Sequence, residues 1–192
     1  MILDKITLIA NGKGWSESPR DSPSWGTNHI LMNRPVDMVF EIHDLRKKFS
    51  SEPSGAHHAR AARRGARDNV PYMVRSADEP VAEHIKRVYP WEEIFNFFGT
   101  DLIGSSFDAM MAYAIYSGYK HFDIYGFLMK RGREYDHQRD SAHFWIGQLM
   151  GRGLSFYWHQ YQGIAFSDMM QTRDGLVYGL GVPQKKWPYM PV

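Results

Sequence analysis

Residues 6–16 read Ile6-Thr7-Leu8-Ile9-Ala10-Asn11-Gly12-Lys13-Gly14-Trp15-Ser16. The apolar, β-rich opening fits a buried strand, and the Asn-Gly-x-Gly that follows ends it in a tight turn. A strand feeding a glycine turn is a building unit of open α/β sheets, where ligands lie outside the carboxyl ends of the strands. Similar runs recur at 36–42, 70–74, 122–127 and 154–158, separated by stretches of helical pattern. Pro71 marks the third of them as an edge or a strand beginning. The spacing therefore predicts an α/β fold with a mainly parallel sheet of about five strands.

Three helices are predicted between these runs. The clearest covers 105–116, where Ser105 or Ser106 can cap the helix, Asp108 sits in its first turn and Gly118 ends it. It is apolar on nearly every side, as a helix sandwiched between a sheet and other structure would be. The others cover 91–98, with Pro90 before it and Glu92 and Glu93 in its first turn, and 140–150, ended by Gly151 and Gly153. Two stretches depart from the pattern. Residues 17–25 are rich in Ser and Pro, and 49–69 mix Ser, Gly, Ala, His and Arg as a mobile loop or lid would. The chain reads as one domain, 1–192, with a basic loop or lid at about 46–69 and an extended tail at about 180–192.

Composition narrows the function classes. The 192 residues include no Cys, which removes disulfide scaffolds, thiol nucleophiles and thiolate-ligated zinc. No apolar run approaches the ~20 residues of a membrane helix. The start of the chain lacks a secretory pattern, so the expectation is a soluble, cytoplasmic protein with no membrane partner. The net charge is only +2, but it is unevenly spread. Between Arg46 and Arg75 there are eight Lys or Arg against Glu52 and Asp68. Arg60, Arg63, Arg64 and Arg67 would share one helical face, a candidate contact for an anionic ligand, an acceptor or nucleic acid. A solvated surface face is the plainer reading of the same residues.

Five groups of residues carry candidate chemistry. The turn Asn11, Gly12, Gly14 and Ser16 lets backbone amides approach a phosphate, although it is neither a Walker A motif nor a full dinucleotide fingerprint. Asn28, in Ser24-Trp25-Gly26-Thr27-Asn28, offers a donor and an acceptor to a base or ribose. His43, in Phe40-Glu41-Ile42-His43-Asp44, is a candidate general base, with Asp44 to orient it or to hold a metal. Ser105 and Ser106 add hydroxyls and unpaired helix-terminal amides. The stretch from Tyr125-Gly126 through Arg131, Arg133, Glu134, Tyr135, His137, Gln138 and Arg139 has the density of ionisable groups expected of a catalytic loop.

Together these segments resemble a known group. Asn-Gly-x-Gly-x-Ser, Trp-Gly-Thr-Asn, Phe-Glu-Ile-His-Asp, Tyr-Pro-Trp-Glu-Glu, the run from Gly104 to Lys120, Asp-Ile-Tyr-Gly and Glu-Tyr-x-x-Gln are similar to small Rossmann-like proteins encoded by bacteriophages. That group is distantly similar to bacterial sialyltransferases and to the archaeal hydroxymethylpterin pyrophosphokinase and flagellin-glycosylation family. The resemblance implies a Rossmann-like three-layer domain and a nucleotide or nucleotide-sugar donor. It implies Asn11, Gly12, Gly14, Asn28, Ser105 and Ser106 as nucleotide contacts, with Tyr125 or Tyr135 near a phosphate. The pterin enzymes' metal requirement singles out Asp44 and Glu134 as carboxylates for Mg.

The leading expectation is thus a glycosyltransferase-like group transferase, with His43, Glu134 and Tyr135 as catalytic groups. The alternatives are a metal-dependent pyrophosphoryl transferase or phosphohydrolase, and a non-catalytic nucleotide or nucleic-acid binding protein. The aromatic tail residues Trp187 and Tyr189 leave a homo-oligomer open.

Overall fold

The computed structural model describes residues 4–50, 54–127 and 135–159. Among these, seven strands form one sheet: β1 (Lys5–Ile9), β2 (Ser24–Thr27), β3 (Met38–Glu41), β4 (Tyr72–Val74), β5 (Lys86–Val88), β6 (His121–Tyr125) and β7 (Ser155–Trp158). Their order is β5-β4-β3-β2-β1-β6-β7, and every pairing is parallel. From β1 the chain steps outward to β5, then crosses back to place β6 on the other side of β1. The direction of winding reverses between β1 and β6, which opens a crevice at their carboxyl ends.

Side chains alternate across this sheet, so β1, β3 and β4 each feed two cores. Ile6, Leu8, Phe40 and Met73 join one cluster, and Ile9, Val39, Tyr72 and Val74 join the other. The first is covered by α3 (Trp91–Phe98), α4 (Ser106–Tyr116) and α5 (Tyr135–Gly151), which bring in Ile94, Met110, Met111 and Trp145. The second is covered by α1 (Leu45–Ser50) and α2 (Ser54–Asp68), through Leu45 and Ala62. The result is the expected three-layer, Rossmann-like α/β architecture. Helix α4 is buried on most sides, as its composition requires, and Ser105 caps it by accepting a hydrogen bond from the Asp108 amide at 3.2 Å.

The sheet has seven strands where about five are expected. Strand β2 begins at the end of the Ser- and Pro-rich stretch and carries Gly26, so its sequence reads as a turn, yet all four residues are buried between β1 and β3. Strand β5 is Lys-Arg-Val, a partly exposed edge with no apolar run to announce it. Because β5 lies outside β4, Pro71 marks the beginning of a strand and not the sheet edge. Residues 54–68, expected within a basic loop or lid, form a 15-residue helix and not an irregular loop. Gly55, Ala61, Ala62 and Gly65 are buried, so small side chains let α2 press against the sheet. Helix α5 starts at Tyr135, five residues before the predicted start, so 135–139 is helical and not a loop. Glu134 and the tail at 180–192, with Trp187 and Tyr189, lie outside the described residues. Among the described residues no helix is long and apolar enough to cross a membrane.

Candidate functional site

A cleft of about 840 Å³ opens at the carboxyl edge of the sheet, where β1, β2, β3 and β6 end. One wall is made mostly of backbone. Leaving β1, the Ala10 N–H donates to the Tyr125 carbonyl and the Gly12 N–H to the Gly126 carbonyl, both at 2.9 Å. Gly126 has φ +72°, and a Cβ there would stand 2.3 Å from the Ala10 carbonyl oxygen. Only glycine allows the two turns to meet so closely. The Asn11 side-chain oxygen accepts from Asn33 Nδ2 at 2.8 Å.

Asn28 follows β2 in the left-handed region, φ +55°, a conformation Asn tolerates better than most residues. Its amide donates to the Phe40 carbonyl, and its side-chain oxygen accepts from Ser106 Oγ at 3.4 Å. That contact ties the end of β2 to the first turn of α4, whose positive end meets the cleft at Gly104, Ser105 and Ser106. Behind this turn lies Asp108, fully buried. Its Oδ2 accepts from the Gly104 N–H at 2.8 Å and from Ser141 Oγ at 2.7 Å. Burial raises its pKa to about 6, with those hydrogen bonds opposing the shift.

The other wall is a histidine cluster around Glu41. Glu41, the last residue of β3, is 1% exposed, and its two carboxylate oxygens face His43 Nδ1 and His58 Nδ1, each at 2.5 Å. His43 lies two residues beyond it on the same side of the extended chain. His58 comes from the buried face of α2, where Gly55, Ala62 and Gly65 recur at helical spacing. Burial pushes the Glu41 carboxyl up, but the hydrogen bonds to both imidazoles outweigh it and hold the pKa below the usual range. His29 packs its ring 5.5 Å from that of His58 and 5.7 Å from that of His57. Burial and then the neighbouring His58 and His57 lower its pKa.

The structure brings Asn11, Gly12, Asn28, His43, Ser105 and Ser106 to this one cleft. Others lie elsewhere. Gly14, φ +95°, turns the chain into a short 3-10 helix, and Ser16 on it is exposed. Tyr125 stacks on His159 with ring centroids 4.7 Å apart. Asp44 accepts from the Lys47 amide at the start of α1 and pairs with Arg75 at 3.2 Å, so cations surround it, and Glu41 takes the place of orienting His43. Partial desolvation would raise its pKa; the Lys47 donor and Arg75 outweigh this and lower it.

Arg60, Arg63 and Arg67 lie on the exposed face of α2, opposite His58, while Arg64 and Arg67 pair with Asp68. The basic segment reaches the cleft through Lys48 and His58 instead of these arginines. The side chains of Glu134 and Tyr135 lie outside the described residues. Glu41, His29 and His58 did not stand out in the sequence. The signals that could have found the first and last were the Glu-x-His spacing at a strand end and the small-residue period around His58.

Among the described residues, fold and cleft together define an all-parallel α/β sheet with a crevice at its reversal point. Comparison with family profiles and with curated proteins finds no match. Among solved structures the chain is similar to the sialyltransferase CstII from Campylobacter jejuni in complex with the substrate analogue CMP-3FNeuAc. That match has 11% identity and a TM-score of 0.48, over 83% of this chain and 82% of that one. The same enzyme in complex with cytidine-5'-monophosphate matches at 13% identity and a TM-score of 0.46, over 84% and 81%. Likeness at this level carries no inference about ligand or activity.

Proposed function

We propose that the cleft binds a nucleotide or nucleotide-sugar donor and that the chain is a glycosyltransferase-like group transferase. One observation carries this reading: the Asn11–Gly12 turn, the Asn28–Ser106 contact and the start of α4 converge in a single cleft. Its volume falls within the roughly 300–1,000 Å³ of small-molecule sites. Phosphates fit the start of α4, where the first-turn amides and the helix's positive end favour an anion, while the Gly12 N–H is already given to the Gly126 carbonyl. Lys48, also on the lining, adds positive charge. The paired side chains of Asn28 and Ser106 offer hydrogen bonds to a base or ribose.

His43 supplies the acid–base group. With its Nδ1–H donated to Glu41, its Nε2 is left as the proton acceptor. In group transfer it takes the proton of an acceptor hydroxyl as that oxygen bonds to the donor's transferred group. The bond to the leaving nucleotide phosphate breaks, and the amides of α4 receive the charge. Glu134 and Tyr135, just before and at the start of α5, are further candidates for proton transfer.

A thermal-shift panel of nucleoside mono- and diphosphates and nucleotide sugars, with and without magnesium, tests the reading. A ligand at a hundred times its Kd stabilises by about 2.7 kcal/mol, a shift on the order of 5–10 °C for a chain of this size. Stabilisation by at least one nucleotide or nucleotide sugar is the expected result. No shift with any of them overturns the reading.

A further inference from the structure

We propose that Glu41, His43 and His58 form a binding site for a first-row transition-metal dication such as Zn²⁺ in the histidine wall of the cleft. Each residue offers one ligand atom, and the three atoms lie within 4.8 Å of one another. They come from the end of β3, the residue two beyond it, and the buried face of α2, so packed elements hold the set. Both carboxylate oxygens already meet an imidazole nitrogen at 2.5 Å. An ion bound at about 2.0–2.2 Å to each ligand would sit among them once the shared protons leave and the contacts open to roughly 3.3 Å.

The donor set also selects the ion. Two imidazoles and one carboxylate suit zinc and its neighbours, whereas magnesium prefers an all-oxygen shell. The resemblance to the pterin enzymes implies a divalent metal such as magnesium on Asp44 and Glu134; this site uses neither residue. Three protein ligands leave a fourth position. His29 Nδ1 is buried with no hydrogen-bond partner among the described residues, and its ring lies 5.5 Å from that of His58. It is one candidate for that position, and an oxygen of a ligand in the cleft is another. An imidazole held by the ion no longer accepts a proton, so metal-loaded and metal-free chains differ in which group can act as base. The site does not depend on the donor reading.

The test uses the full chain, stripped with a chelator and dialysed, with no nucleotide present. Calorimetric titration with Zn²⁺ and visible absorption with Co²⁺ should each show one equivalent, with ligand-field bands for Co²⁺ and no competition from a large excess of Mg²⁺. His58→Ala and Glu41→Gln should each weaken binding at least about tenfold. His43→Ala, at the more exposed position, keeps the test valid should either of the others fail to fold, and Zn²⁺ should shift the imidazole nitrogen resonances of His43 and His58. No uptake by the wild type, or uptake unchanged in His43→Ala, overturns the site. Metal uptake without nucleotide binding upholds this site and removes the donor reading; nucleotide binding in chelator without metal uptake does the reverse.

Discussion

The two walls of the cleft are built by different means. The backbone wall is set by turn and helix-end chemistry: a glycine where no Cβ fits, a left-handed Asn and a capping Ser. The histidine wall is set by side chains from β3 and α2, held together by one buried carboxylate. The first is a property of local sequence, and the second exists only once the topology is known. The difference predicts distinct failures: a damaged backbone wall loses its shape, whereas a damaged histidine wall loses its charge arrangement.

The largest expected effect comes from breaking the histidine wall at its centre. Glu41→Ala leaves two imidazoles without their carboxylate and should cost about 4 kcal/mol, read as a lower urea midpoint at unchanged slope. Gly126→Ala should cost about 3 kcal/mol, since it combines positive φ with a Cβ 2.3 Å from the Ala10 carbonyl oxygen. It should also abolish donor binding, because the Ala10–Gly12 turn must move away. Retained nucleotide affinity in Gly126→Ala would break the claim that this wall is made by close backbone approach.

Asp108, behind the backbone wall, gives a smaller and pH-dependent effect. Its folded pKa of about 6 stands above the unfolded value near 3.8. Between the two, the folded chain keeps a proton that the unfolded chain has lost, so this group removes stability as pH rises from about 4 to 6 and changes nothing above. The loss is at most about 3 kcal/mol. Denaturation of wild type and Asp108→Asn across that range should show the difference in stability moving in favour of the variant as pH rises. Smallest of all, the triple variant Arg60→Ala, Arg63→Ala, Arg67→Ala should change donor affinity and stability within about 0.5 kcal/mol. A large loss of nucleotide binding would show that the outer face of α2 serves the cleft after all.

The same contrast explains how far the sequence could be read. Strands β1 and β6 and helices α3 and α4 announce themselves because their signals are local: apolar runs, a Ser cap, a glycine stop. Asn11, Gly12, Asn28, Ser105 and Ser106 follow as a candidate site because each stands at a strand or helix end. Strand β2 is hidden because Ser24 and Gly26 interrupt the strand-favouring Trp25 and Thr27, and its position between β1 and β3 supplies what propensity does not. Helix α2 shows in the sequence only as the shared face of its arginines, because Gly, Ala and His give no apolar stripe, while its small residues allow close packing. With it went His58, and with His58 the role of Glu41, which as a lone acid beside His43 drew less notice than Asp44. Arginines draw attention by charge alone, and these sit on the face that solvent sees.

The most direct measurement is calorimetric titration of the wild type and of the Asn28→Ala, Ser106→Ala double variant with the nucleotide or nucleotide sugar that stabilises the wild type most. Neither change opens the core, so the double variant should keep its fold by circular dichroism. The expected result is one binding site per wild-type chain and at least about a tenfold loss of affinity in the variant, as for lost hydrogen bonds totalling roughly 1.4 kcal/mol or more. Equal affinity in the two proteins would place the nucleotide elsewhere and contradict the assignment of the cleft.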